Sequence, residues 1–79
     1  MKVCVRLYGT LGRHIEGYEH AHGLLVDIPD GATVGDLFAQ LKFTDRRGIV
    51  AIMEGRVLDA QETLGDGKMI NVFQSIAGG

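Results

Sequence analysis

The spacing of apolar residues changes several times along the chain, and each change marks a new element. From Lys2 to Tyr8 the period is two: Val3, Val5 and Leu7 alternate with Cys4, Arg6 and Tyr8. Such alternation places one set on a buried face and the other on a wet face of a strand, with Lys2 and Arg6 marking the wet side. The period is lost from Gly9 to Gly23, a stretch of glycine, histidine and charge that reads as a long loop with a helical turn near Leu11 to Ile15. Alternation returns with Leu24, Val26 and Ile28 against Leu25 and Asp27, giving a second strand that Pro29-Asp30-Gly31 closes.

Val34, Leu37, Phe38 and Leu41 then fall at i, i+3, i+4 and i+7, one apolar stripe on a helix of roughly two and a half turns. Thr33 stands at the N-cap position, and Asp36 three residues on is a shortened capping-box acid. Gly35 would weaken a helix interior by about 1 kcal/mol but is tolerable this close to the N-terminus. Beyond the loop Thr44 to Gly48, the run Ile49 to Glu54 is rich in branched residues, Glu54-Gly55 is a turn signal, and Arg56-Val57-Leu58 returns as a short antiparallel partner. Ala60 to Leu64 has room for a single turn. Asp66-Gly67 leads into a last strand, Lys68 to Gln74, whose even positions Ile70 and Val72 suit the core. Its odd positions Met69 and Phe73, with Asn71 between them, suit the opposite face.

This order predicts an α+β fold in which one amphipathic helix packs on a four- to five-stranded mixed sheet, since each has a single apolar face to bury. Parallel first and last strands at the centre make it a β-grasp, or ubiquitin-like, architecture. Residues 1–79 form one domain, and a chain this short hides little more than ~60% of its unfolded surface, so almost every large apolar residue is expected to serve one core. The hydrophobic share of 46% fits a globular protein. No apolar run approaches the ~18 residues of a membrane span and no leader opens the chain, which points to the cytoplasm and to no membrane partner.

The formal charge is −2 and the basic residues are scattered, which argues against nucleic acid as a partner. The lone Cys4 excludes an internal disulfide and an iron–sulfur cluster. His14, His20 and His22 share the long loop without a third ligand at supporting spacing, so no metal site is expected and the rings are read as solvated. Arg6 and Arg56 are candidate contacts to acidic groups on a partner, although single surface arginines contribute little.

The chain ends in Ala77-Gly78-Gly79 directly after the last apolar run. Glycine is 12 of 79 residues here, and a Gly-Gly end would then arise by chance about twice in a hundred, against well under one in a hundred at average usage. Residues 75–79 are read as a flexible tail, which from Gln74 to Gly79 spans at most about 17–20 Å when extended.

With these features together, the chain resembles the MoaD/ThiS group of ubiquitin-like sulfur carriers over nearly its whole length. The opening half, Val3-x-Val5-Arg6-Leu7-Tyr8-Gly9-x-Leu11 followed by Gly31-x-Thr33-Val34-x-x-Leu37, is similar to the molybdopterin synthase small subunit. The closing half, Val72-Phe73-Gln74-Ser75-Ile76-Ala77-Gly78-Gly79, is similar to the thiamine-pathway carrier, and Asp66-Gly67 before the last strand occurs in both.

The resemblance implies a protein co-substrate rather than an enzyme, with no cofactor of its own. An adenylyltransferase of the MoeB/ThiF type, using ATP and Mg, would join the Gly79 carboxylate to AMP. A sulfur donor would leave a thiocarboxylate, and a synthase (molybdopterin synthase large subunit or thiazole synthase) would take up the sulfur. In the molybdopterin branch the chain would be the small subunit of the synthase. Such chemistry suits Gly78 and Gly79, because any Cβ widens a chain that must thread a narrow site and glycine adopts backbone angles closed to other residues. A preformed apolar patch can offset the ordering entropy of the tail. Phe73 and Met69, with Ile76 and Ala77 in the tail, are the candidate partner contacts. Two other readings share the fold: a protein modifier conjugated through Gly79, and a β-grasp interaction module.

Overall fold

A computed structural model describes residues 1–43 and 48–74, apart from the side chain of His14. The elements follow in the order β1 (Lys2–Leu7), a short 3-10 helix (Gly9–His14), β2 (Leu24–Asp27), α1 (Val34–Gln40), β3 (Ile49–Met53), β4 (Arg56–Leu58) and β5 (Met69–Gln74). One five-stranded sheet runs β2-β1-β5-β3-β4. β1 and β5 are parallel, with Cys4 opposite Met69 and Leu7 opposite Val72. All other neighbours are antiparallel. Parallel first and last strands at the middle of the sheet are therefore observed.

The alternation becomes two faces. Val3, Val5, Ile70 and Val72 are fully buried on one side, where Leu37 and Phe38 of α1 and Leu11 of the 3-10 helix cover them. Leu11 turns an otherwise polar loop into a plug for the open end of the core.

Thr33 caps α1 as its sequence indicates. Its hydroxyl accepts from the Asp36 N–H at 3.1 Å, and the Asp36 carboxylate accepts from the Thr33 N–H at 2.9 Å. Two further orphan donors of the first turn are met from outside the helix. Val34 N–H donates to Glu62 O and Gly35 N–H to Ala60 O, so the turn after β4 closes the helix start rather than forming an element of its own.

The helix is shorter than its apolar stripe. It stops at Gln40, because Leu41 is the C-cap and Lys42 takes a left-handed φ of 64°. Lys42 N–H then bonds Ala39 O and Phe43 N–H bonds Phe38 O, a Schellman closure in which Phe43 packs on Phe38 with centroids 5.8 Å apart. Leu41 and Phe43 remain buried beyond the helix end. The β3–β4 hairpin turns at Glu54 and Gly55, both with positive φ, the requirement of a type I′ turn. Lys68, just before β5, reaches the Glu54 carboxylate and holds it below its ordinary pKa.

Candidate functional site

Apart from the segment His20–Gly23, which lies against Tyr8, Arg6 and Cys4, no element among the described residues covers the sheet face away from α1. Strand parity places on it Leu25 of β2, Cys4, Arg6 and Tyr8 along β1, Met69, Asn71 and Phe73 of β5, Val50 and Ile52 of β3, and Val57 of β4. Leu25 is 67% exposed, Val57 62%, Met69 39% and Phe73 37%. Met69 and Phe73 thus lie on the outward face, and the inward register of β5 is filled by Ile70 and Val72. The default in a small domain, that large apolar residues are core, does not hold for these two.

The C-terminal end of β5 is held on both sides. Ile49 of β3 pairs with Gln74, and on the other flank Tyr8 N–H donates to Val72 O at 2.9 Å. Side chains reinforce this. Phe73 stacks on Tyr8 with ring centroids 4.2 Å apart and planes 14° from parallel. The Tyr8 hydroxyl lies 3.3 Å from Asn71 Oδ1, and the Thr10 hydroxyl 3.2 Å from Gln74 Oε1. The chain therefore reaches residue 74 on a fixed course from the middle of the sheet. Ile76, Ala77, Gly78 and Gly79 lie outside the described residues.

Sequence reasoning missed the way Tyr18 completes β1. β2 begins at Leu24, opposite Val5, so the peptide groups of Leu7 that face this edge have no strand beside them. The Tyr18 hydroxyl takes that place, accepting from Leu7 N–H at 2.7 Å and lying 3.2 Å from Leu7 O. Gly12 makes room for it, since a Cβ there would lie 2.8 Å from the Tyr18 ring. Tyr18→Phe is expected to leave a half-buried donor and acceptor unmet and to lower stability by about 1–3 kcal/mol in a urea titration. A shift below ~0.5 kcal/mol would mean that water replaces the hydroxyl at no loss.

His20 and His22 are exposed, in line with the reading of solvated rings, and His20 has contacts besides. Its ring meets Tyr8 edge-on at 4.8 Å, and Nδ1 lies 3.2 Å from the Tyr18 hydroxyl and 3.3 Å from Leu7 O. His22 instead lies 3.5 Å from Glu19 on the surface, and the His14 side chain lies outside the described residues. Among the described residues, no group of three potential metal ligands comes together.

The arginines marked as partner contacts are engaged within the molecule. Arg56 pairs with Glu62 at 2.8 Å, which raises its pKa, and Arg6 donates to Ala21 O at 3.3 Å. Cys4 is half-buried on the open face, its Sγ 3.9 Å from His22 O. Beside the tail root, Leu7, Tyr8, Gly9, Gly12, Arg13, Tyr18 and His20 line an open cleft of about 430 Å³. No helix among the described residues is long and apolar enough to cross a membrane.

The profile of the ThiS family matches residues 10–79, from the 3-10 helix to the final glycine. The chain belongs to the ThiS family. Solved structures resemble this ThiS-family protein in fold. Small archaeal modifier protein 1 of Haloferax volcanii superposes with a TM-score of 0.75 at 19% identity, over 95% of this chain and 98% of that one. A Pyrococcus furiosus protein assigned as molybdopterin converting factor, subunit 1, gives 0.72 at 22% identity over 95% and 98%. A ubiquitin of Caldiarchaeum subterraneum gives 0.67 at 21% identity over 100% and 98%. No curated protein matches this ThiS-family sequence at significant similarity. The architecture is thus the ubiquitin-like β-grasp expected from the element order, with one helix on a five-stranded mixed sheet.

Proposed function

We propose that this ThiS-family protein is a sulfur carrier whose Gly79 carboxylate is activated and then loaded with sulfur by other proteins. The observation that carries this reading is the path of β5, a strand paired with β3 as far as Gln74 and with β1 and Tyr8 as far as Val72, followed by a sequence that ends in Gly78-Gly79. A fixed root keeps the body in one orientation while an extended segment of five residues spans up to about 17 Å into a partner's site.

The chemistry follows from the carboxylate. At neutral pH it is a poor acyl donor, so its oxygen attacks the α-phosphorus of ATP, held with Mg by a MoeB/ThiF-type adenylyltransferase, and pyrophosphate leaves. A hydrosulfide-level nucleophile then adds to the acyl carbon and AMP departs, leaving a thiocarboxylate. A synthase that builds a pterin dithiolene or a thiazole takes the sulfur, and Gly79 returns as a carboxylate. The protein is a co-substrate in each step. Phe73, next to the tail root, and Met69, at the far end of β5 on the same outward face, form the docking patch together with Ile76 and Ala77. Burying the remaining exposed surface of Phe73 and Met69, 37% and 39% of each residue, favours complex formation by about 0.5–1 kcal/mol each.

Incubation with the adenylyltransferase of the same genome, ATP, Mg and sulfide tests the reading. The expected product is the intact chain with one oxygen exchanged for sulfur, seen by mass spectrometry and reversed by the synthase that co-purifies with it. An unchanged mass in the presence of an active adenylyltransferase would sink it. The likeness to small archaeal modifier protein 1 supports a second reading, conjugation of Gly79 to a lysine. Higher-mass conjugates in lysate without any thiocarboxylate would favour that one.

A further inference from the structure

We propose that the cleft beside the tail root is a docking pocket for an acidic side chain of the protein that activates the tail; this rests on the carrier reading above. The cleft lies between the end of β1, the 3-10 helix and the segment Tyr18–His20, and its lining includes Arg13 and His20 and no carboxylate. That composition stands out on a chain whose formal charge is −2.

Arg13 is exposed, and no hydrogen bond or ion pair holds it among the described residues. Arg6 bonds Ala21 O, Arg56 pairs with Glu62 and Lys68 pairs with Glu54, whereas Lys2 and Lys42, also without a side-chain partner among the described residues, lie outside the cleft lining. Arg13 is thus a cation without an internal partner, standing over a cavity.

The floor argues for a side chain rather than a small molecule. The Tyr18 hydroxyl, His20 Nδ1 and Leu7 O already satisfy one another, so few convergent polar groups remain to orient a free ligand. The cleft is also open, whereas small-molecule sites enclose most of their ligand. A carboxylate on a partner's surface needs less, because its backbone already places it. The guanidinium fork supplies charge and direction, and the rings of Tyr8 and His20 flank the place where the carboxylate would sit.

Position supplies the partner. Tyr8 forms one wall of the cleft and also stacks on Phe73, and the 3-10 helix holds Gln74 through Thr10. A protein that grips the chain beyond Gln74 therefore passes this cleft. Filling it would set the rotation of the body around the tail axis, which the apolar patch alone leaves loose.

The test uses the full chain and its adenylyltransferase, with affinity measured by calorimetry without ATP and turnover by pyrophosphate release. Arg13→Glu is expected to raise both Kd and KM about tenfold or more, with kcat essentially unchanged and a weaker dependence of Kd on salt. An Asp or Glu of the enzyme changed to Lys should restore binding to the Arg13→Glu chain. Arg13 supports nothing inside the fold, so an unchanged melting temperature is expected and separates docking from stability. If Arg13→Glu binds like wild type while wild type is adenylated, the pocket is wrong and the carrier reading stands. If wild type is never adenylated, the carrier reading fails and takes the pocket's partner with it. Tight binding of phosphate or AMP to the isolated chain, seen as shifts of Arg13 and His20 resonances, would also overturn the proposal by making the cleft a small-anion site.

Discussion

Deletion of Gly79 is expected to lower acyl-adenylate formation by ~10²-fold or more, while the melting temperature stays unchanged. One residue shortens an extended segment by ~3.3–3.6 Å, and a misplacement of about 1 Å from attack geometry already costs ~10²-fold. The loss cannot be recovered by sliding the chain deeper, because β5 is paired with β3 as far as Gln74 and bonded by Tyr8 at Val72, and would have to break these pairs to release length. Nor should the truncation unfold the domain, since the buried residues among those described all lie at or before Val72. Pyrophosphate release with the adenylyltransferase measures the first quantity and a thermal scan the second. An unaltered rate would show that activation does not occur at this terminus.

Leu37→Ala is the substitution expected to cost the fold most, about 2–5 kcal/mol. Leu37 has no exposed surface and lies in the middle of α1, against the fully buried Val3, Val5, Ile70 and Val72 layer. The site has little room to collapse around the void, because the capping box fixes the helix start and the Schellman closure at Lys42 and Phe43 fixes its end. Small domains carry total stabilities of about 5–15 kcal/mol, so this one change could remove much of the margin. A denaturant titration with an unchanged slope and a loss under ~1 kcal/mol would show that the helix face is misassigned.

Both predictions draw on features that were readable in the chain. Period two in β1 and β5 placed Val3, Val5, Ile70 and Val72 inward, and the structure finds each of them buried. Thr33 and Asp36 announced the helix start, and Glu54-Gly55 the hairpin, because caps and tight turns are local chemistry within a few residues. The outward placement of Met69 and Phe73 followed from the same alternation. The end of α1 was less legible: the apolar stripe runs through Leu41, but a lysine at positive φ gives no glycine signal for a C-cap. Phe43 joins the core only because that closure swings it back over Phe38.

The candidate site divides in the same way. The glycine pair and the exposed residues of β5 are visible in the sequence. The Tyr18 hydroxyl on Leu7 and the Tyr8–His20–Phe73 contacts are not, since they join residues 11, 12 and 65 positions apart through a loop with no period. Gly12 was the one available hint, a glycine made necessary by the Tyr18 ring.

The sequence by itself determined the element order, the two faces of each strand and the helix start, because hydrophobic period and capping act over one or two turns of chain. Only the tertiary structure decided which cations stay unpaired, where the cleft opens and what grips the root of the tail. Those depend on which distant segments share an edge of the sheet, and pairing at long separation is fixed by the packing of the whole core.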